Sequence, residues 1–103
     1  MNDNFLGFLG LLKKSGKLIT GADNCIGIIK SKSCAYAFCS SDISANSLKK
    51  ITDAVFGSNI KTIKLAYTKN QLASALGTGE CAVFCIDDRK AEFSVLNKAD
   101  ILN

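Results

Sequence analysis

The sequence predicts a three-layer α/β/α sandwich built on a four-stranded, largely parallel sheet. Helix-like and strand-like segments alternate along the chain, and two short runs, Ala35-Tyr-Ala-Phe-Cys39 and Cys81-Ala-Val-Phe-Cys-Ile86, are apolar at every position. A strand covered on one face alternates apolar and polar residues, whereas a strand apolar throughout is covered on both, which places helices on each side of the sheet. With 103 residues, 48% of them hydrophobic, positions 1–103 read as one domain with a modest core.

Each element follows from its own pattern. Phe5, Leu6, Phe8, Leu9, Leu11 and Leu12 recur at helical spacing, and Lys13 and Lys14 occupy the last turn before Gly16, where cations suit the negative end of the helix dipole. Lys17-Leu-Ile-Thr20 is too short for a helix and contains a β-branched pair, so it reads as a brief strand. A second helix begins near Asp23 and Asn24, both capping residue types, and shows an apolar face of Cys25, Ile26, Ile28 and Ile29. Ser44 or Asn46 caps a third helix whose inner face is Leu48, Ile51, Val55 and Phe56, and Gly57 stops it. The alternation in Ile60-Lys-Thr-Ile-Lys-Leu-Ala-Tyr67 marks a strand with one wet face, at an edge. Thr68 caps a fourth helix closed by Gly77, and Asp87 or Asp88 caps a last helix carrying Phe93, Val95, Leu96, Ile101 and Leu102.

The stretch Ser15 to Asn24 is the candidate functional centre. Gly21 takes positive φ at low cost and lets another backbone approach, and the first-turn amides that follow, from Ala22, Asp23 and Asn24, form a pocket suited to a phosphate or a polarised base edge. An ordinary turn explains the same local pattern. A second candidate is the Gly77-Thr-Gly-Glu80 loop that leads into the last strand, because ligands of α/β sheets bind where strand ends meet helix starts.

Net charge is +4, and residues 1–41 contain Lys13, Lys14, Lys17, Lys30 and Lys32 against Asp3 and Asp23. Residues 42–103 hold eight bases against seven acids, so the excess lies around the candidate centre. Such clustering is the footprint of a phosphate-binding face, and equally of solvated helix ends. Cys25, Cys34, Cys39, Cys81 and Cys85, with no histidine and no C-x-x-C pair, give neither a zinc pattern nor an even disulfide framework. Cysteines in apolar settings are expected to be core residues in a reducing compartment, with no metal and no cofactor. No apolar run approaches the roughly 20 residues that span a bilayer, and the N-terminus lacks the features of a signal peptide, so the expectation is a cytoplasmic monomer without membrane contact.

Gly16-Lys-Leu-Ile-Thr-Gly21, Ser41-Asp42 after the central strand, and Asn70-Gln-Leu-Ala-Ser-Ala-Leu-Gly77 before a glycine-containing loop resemble the kink-turn-binding ribosomal proteins of the L-seven-Ae and L-thirty-e type, in their bacterial branch. The resemblance spans nearly the whole chain. It implies a mixed sheet ordered 1-4-2-3 with the fourth strand antiparallel, and an RNA site made of the second helix's N-terminus and the loop before the last strand. In that family the helix start often reads Gly-x-Asn-Glu-x-x-Lys and recognises sheared G·A pairs at a sharp RNA bend. Here Gly21 matches the glycine, Asp23 stands for the asparagine, Asn24 for the glutamate and Gly27 for the lysine. Asp23 accepts but does not donate, and Gly27 supplies no cation, so the expected RNA target is broader than a kink-turn.

The expected function is non-catalytic, ribosome-associated binding of structured RNA. The expected contacts are Lys17, Gly21, Ala22, Asp23, Asn24, Gly27, Lys30, Lys32, Gly79, Glu80 and Cys81. Alternatives are a protein-interaction module and a cysteine-dependent enzyme using Cys25, whose place at a helix N-terminus lowers a thiol pKa.

Overall fold

The computed structural model of the chain describes residues 3–99. Five helices and four strands alternate: α1 Asp3–Lys14, β1 Leu18–Thr20, α2 Ala22–Lys30, β2 Tyr36–Cys39, α3 Ala45–Val55, β3 Lys61–Lys64, α4 Lys69–Leu76, β4 Val83–Ile86 and α5 Arg89–Lys98. The sheet order is β1-β4-β2-β3, as the family resemblance implies. β1, β2 and β3 run the same way, so the sheet is largely parallel in strand direction. β4 runs against them between β1 and β2, and β2–β3 is the parallel pairing.

The two apolar strands do what an all-apolar pattern requires. Val83 and Cys85 of β4, with Ala37 and Cys39 of β2, join Cys25, Ile29 and Ile51 in a core beneath α2 and α3. Phe84 and Ile86, with Phe38, join Phe5, Leu9, Leu72 and Val95 in a second core beneath α1, α4 and α5. The buried residues on the α2–α3 side are cysteine, alanine, valine and isoleucine. The opposite side holds the large rings: Phe38 stacks on Phe84 with centroids 5.1 Å apart, and Phe5 on Tyr67 at 4.9 Å. Truncating a buried phenylalanine of this kind costs about 3–5 kcal/mol.

Helix starts follow the capping chemistry, with one exception. Ser44 accepts the Ser47 amide at 3.2 Å, Thr68 and Gln71 form a reciprocal capping box, and Asp88 accepts the Ala91 amide at 3.0 Å. At α2 the cap is Gly21 rather than Asp23 or Asn24, which already lie inside the first turn. Three apolar residues of the helical stripes are outside: Leu11 is 63% exposed, Phe56 89% and Phe93 65%. Phe56 sits past the last residue of α3, so its side chain leaves the Leu48–Ile51–Val55 stripe. The buried face of α5 is Ala91, Glu92 and Val95, which turns Phe93 to solvent. Ile101 and Leu102 lie outside the described residues.

All five cysteines are free and buried. Burial pushes the Cys39 and Cys81 thiols up to about 11, while a hydrogen bond to another cysteine side chain, Cys85 for Cys34 and Cys25 for Cys85, raises those two ahead of burial. Thiolates are the reactive form, so the native protein is expected to resist iodoacetamide at neutral pH and to take up five labels only after denaturation. Fast labelling of Cys25 in the native state would contradict this reading. Among the described residues no helix is long and apolar enough to cross a membrane.

Candidate nucleic-acid interface

At one end of the sheet β1, β2 and β3 finish and β4 begins. The chain therefore leaves three strands there and enters α2, α3 and α4. The Gly21 amide donates to Val83 O at 3.2 Å, which fixes the α2 start against the entry to β4. The Ser40 amide reaches Ala82 O at 2.8 Å and the Ser41 amide reaches Tyr67 O at 2.7 Å, so the turns after β2 and β3 join the same cluster. The two loops singled out in the sequence are thus neighbours, an arrangement set by the position of β4 beside β1.

Gly21 adopts φ 93 and ψ 143, a conformation that L side chains rarely take, and no side chain caps the turn it opens. Asn24 turns back through its Nδ2 to Thr20 O at 3.2 Å, and the first return bond of the helix is from the Cys25 amide to Gly21 O at 3.0 Å. The amides of Ala22, Asp23 and Asn24 are thereby left for solvent or a ligand. Asp42 holds the neighbouring helix: it accepts the Lys69 amide at 2.8 Å, and that bond keeps its carboxyl below the usual carboxylate range. The Lys69 ammonium lies 3.7 Å from Glu80, which ties the loop before β4 to the start of α4. Asp42 and Lys69 are thus structural members of this surface that the list of expected contacts omits. Their turn and capping chemistry is visible in the sequence, but their meeting depends on strand order.

The expected contact residues do not form one patch. Gly21, Ala22, Asp23, Asn24, Gly79 and Glu80 gather at this end. Cys81 does too, but it is 1% exposed, its thiol turned inward to Val83 O at 3.7 Å, so its side chain offers nothing to a ligand. Gly27 sits on the exposed side of α2 with open space around it. Lys17, Lys30 and Lys32 lie at the other end of the sheet. A strand advances about 3.3 Å per residue, which carries Lys17 about 13 Å from Gly21. The nine residues of α2, at about 1.5 Å each, carry Lys30 as far. Lys17 pairs there with Asp88 at 3.1 Å. Charge follows the same division: the loops and strand ends around Gly21 contain Asp23, Asp42 and Glu80 against Lys64 and Lys69. Lys13 adds its charge near Cys81, so the charges around Gly21 are balanced rather than in cationic excess. The exposed residues of the loop before β4 are Gly77, Gly79 and Glu80.

A groove of about 740 Å3 lies on the opposite face of the sheet from α2, between α1 and α4, and is lined by Leu6, Gly10, Leu11, Ala75 and Leu76 among others.

Neither a known family model nor a curated protein matches this sequence. Solved structures do. A protein of unknown function from Bacillus halodurans superposes with a TM-score of 0.79 at 22% identity, over 90% of this chain and 93% of its own. A 15.5 kD RNA-binding protein from Giardia lamblia superposes with a TM-score of 0.67 at 14% identity, over 89% of this chain and 78% of its own. At such identities the likeness establishes a shared fold, which the chain holds over nine-tenths of its length.

Proposed function

We propose that this protein is a non-catalytic RNA-binding module that holds a bent, structured RNA against the start of α2 and the loop before β4, in a ribosome-associated setting. The observation that carries the reading is the uncapped first turn of α2. α3, α4 and α5 each close their first amides with a side chain, whereas Gly21 leaves those of α2 open beside an exposed glycine loop. The fold shared with an RNA-binding protein supports it. Recognition by backbone amides tolerates the replacement of side chains, so Asp23, Asn24 and Gly27 broaden the target beyond a kink-turn while leaving phosphate and base-edge contacts in place. No catalytic step is assigned, because the thiol offered as a nucleophile, that of Cys25, is fully buried and directed at Ile19 O, 3.6 Å away.

Ultraviolet crosslinking in cells, followed by mapping of the crosslinked peptides, tests the reading. RNA is expected on the peptides that contain Thr20–Asn24 and Thr78–Glu80. RNA confined to other peptides, or no RNA at all, would overturn it.

A further inference from the structure

The end of the sheet remote from Gly21 has a different electrostatic character. Its loops and strand ends contain Lys17, Lys30, Lys32, Lys61, Arg89 and Lys90 against Asp87 and Asp88. Asp88 is already committed to capping α5 and to the ion pair with Lys17. Between the turn after α2, the loop from α3 to β3 and the first residue of α5 opens a cavity of about 380 Å3. Lys32 and Arg89 are the cations that line it, together with buried Cys34 and Ile60 and the polar Ser58 and Asn59. Among the described residues neither cation forms an ion pair. Arg89 does act on the buried Glu92, but the carboxylate of Glu92 is taken up by the Ala35 and Tyr36 amides.

Lys32 sits in a conformation that favours glycine. Its φ is 58, and its amide and that of Ser33 return to Ile29 O and Ile28 O at 3.0 and 3.2 Å, closing α2 in a left-handed turn. Glycine would close that turn with less strain. A lysine there brings a cation to the mouth of the cavity, facing a guanidinium contributed by another helix. A guanidinium pairs with two phosphate oxygens at once, an ammonium adds a point charge, and the cavity falls within the size range of small-ligand sites.

We infer that the cavity between Lys32 and Arg89 binds the phosphate ester of a nucleotide, either free or as one residue of an RNA strand. Phosphate oxygens meet the two cations, the Asn59 side chain offers hydrogen bonds to the sugar and base, and Ile60 offers apolar contact, while the Ser58 hydroxyl is held by Val55 O and the Ile60 amide. The site is independent of the α2 surface, so its failure and the failure of the RNA reading are observed on different residues.

Amide NMR titration of the full chain with AMP, with adenosine and with a short single-stranded RNA tests the assignment. AMP is expected to shift the Lys32, Asn59, Ile60 and Arg89 amides saturably, and adenosine to bind at least tenfold more weakly. Arg89→Gln and Lys32→Gly are each expected to weaken AMP at least tenfold, and Lys32→Gly to raise the melting temperature at the same time. That combination separates lost chemistry from lost folding. Tighter binding of the RNA strand through the same amides assigns the strand as the source, and equal or tighter binding of AMP assigns the free nucleotide. Shifts that never saturate, adenosine binding as well as AMP, or a Lys32→Gly protein that binds AMP like the parent would each overturn it.

Discussion

Replacing Gly21 with valine is expected to lower the RNA affinity of the folded protein at least about tenfold, roughly 1.4 kcal/mol. The backbone at Gly21 stands at φ 93, and a Cβ built there meets only Asn24 Nδ2, at 3.8 Å. The protein itself therefore has room for the side chain. What valine obstructs is the approach of a ligand to the Ala22, Asp23 and Asn24 amides. It also costs stability, on the order of 1–2 kcal/mol for a left-handed L residue and more for a β-branched one, so binding has to be corrected for the unfolded fraction. Gly16→Val is the control, because Gly16 has φ 77 and open surroundings but lies at the far end of α1's exit. Anisotropy titrations with RNA recovered by crosslinking compare the two. Equal affinity of Gly21→Val and the parent would make the start of α2 an ordinary turn.

Glu92→Ala is expected to destabilise the fold by about 3 kcal/mol or more. Glu92 is 2% exposed, and its two oxygens accept the Ala35 amide at 2.9 and 3.2 Å and the Tyr36 amide at 3.0 Å. Removing them leaves the entry to β2 with two donors unpaired, at about 1–3 kcal/mol each. In a domain whose whole stability is about 5–15 kcal/mol, that lowers the melting temperature by roughly 10 °C or more. Glu92→Gln keeps one acceptor and should fall between alanine and the parent. The acid form adds a pH signature. Burial raises the Glu92 carboxyl above its ordinary value, against the pull of the two amides. The folded state therefore binds its proton more tightly than the unfolded chain. The contribution of this group to stability is fully present below the ordinary glutamate range and is lost as pH rises through the raised value. Glu92→Gln removes that slope. Denaturant titrations across this range that show parallel curves for parent and variant would exclude a proton linkage at Glu92.

The layers of the fold were legible because each depends on local periodicity. Ala35–Cys39 and Cys81–Ile86 could be apolar at every position only if covered twice, and Ser44, Thr68 and Gly77 announce helix ends by chemistry that acts over three or four residues. Phe56 and Phe93 show the limit of that periodicity: a large apolar side chain one step off the inner stripe is exposed. On α5 the inner position went instead to Glu92, whose partners lie 56 and 57 residues away and leave no local trace. The candidate site was legible at Gly21 to Asn24 and at Gly79 and Glu80, and not at the lysines. Closeness in sequence suggested that Lys17, Lys30 and Lys32 surround it, but an extended strand and a helix are the two devices that carry neighbours in sequence to opposite ends of a domain. The residues that do surround Gly21, among them Asp42, Lys69 and Glu80, arrive from three separate connections.

The position of β4 has a consequence for how the chain is made. β4, the last strand of the described residues, is an interior one, hydrogen-bonded to β1 on one side and β2 on the other, with Leu18 opposite Ile86. While residues 83–86 are still inside the ribosome, β1 has no partner, and β2 can pair only with β3. Both cores then lack a wall, since Val83 and Cys85 complete one and Phe84 and Ile86 the other. Closure of the sheet must wait for that segment and must bring together distant parts of the chain, the kind of contact that slows folding. Between the completion of β3 and the arrival of β4 the β2–α3–β3 unit has an open flank, and the sheet closes only when β4 inserts.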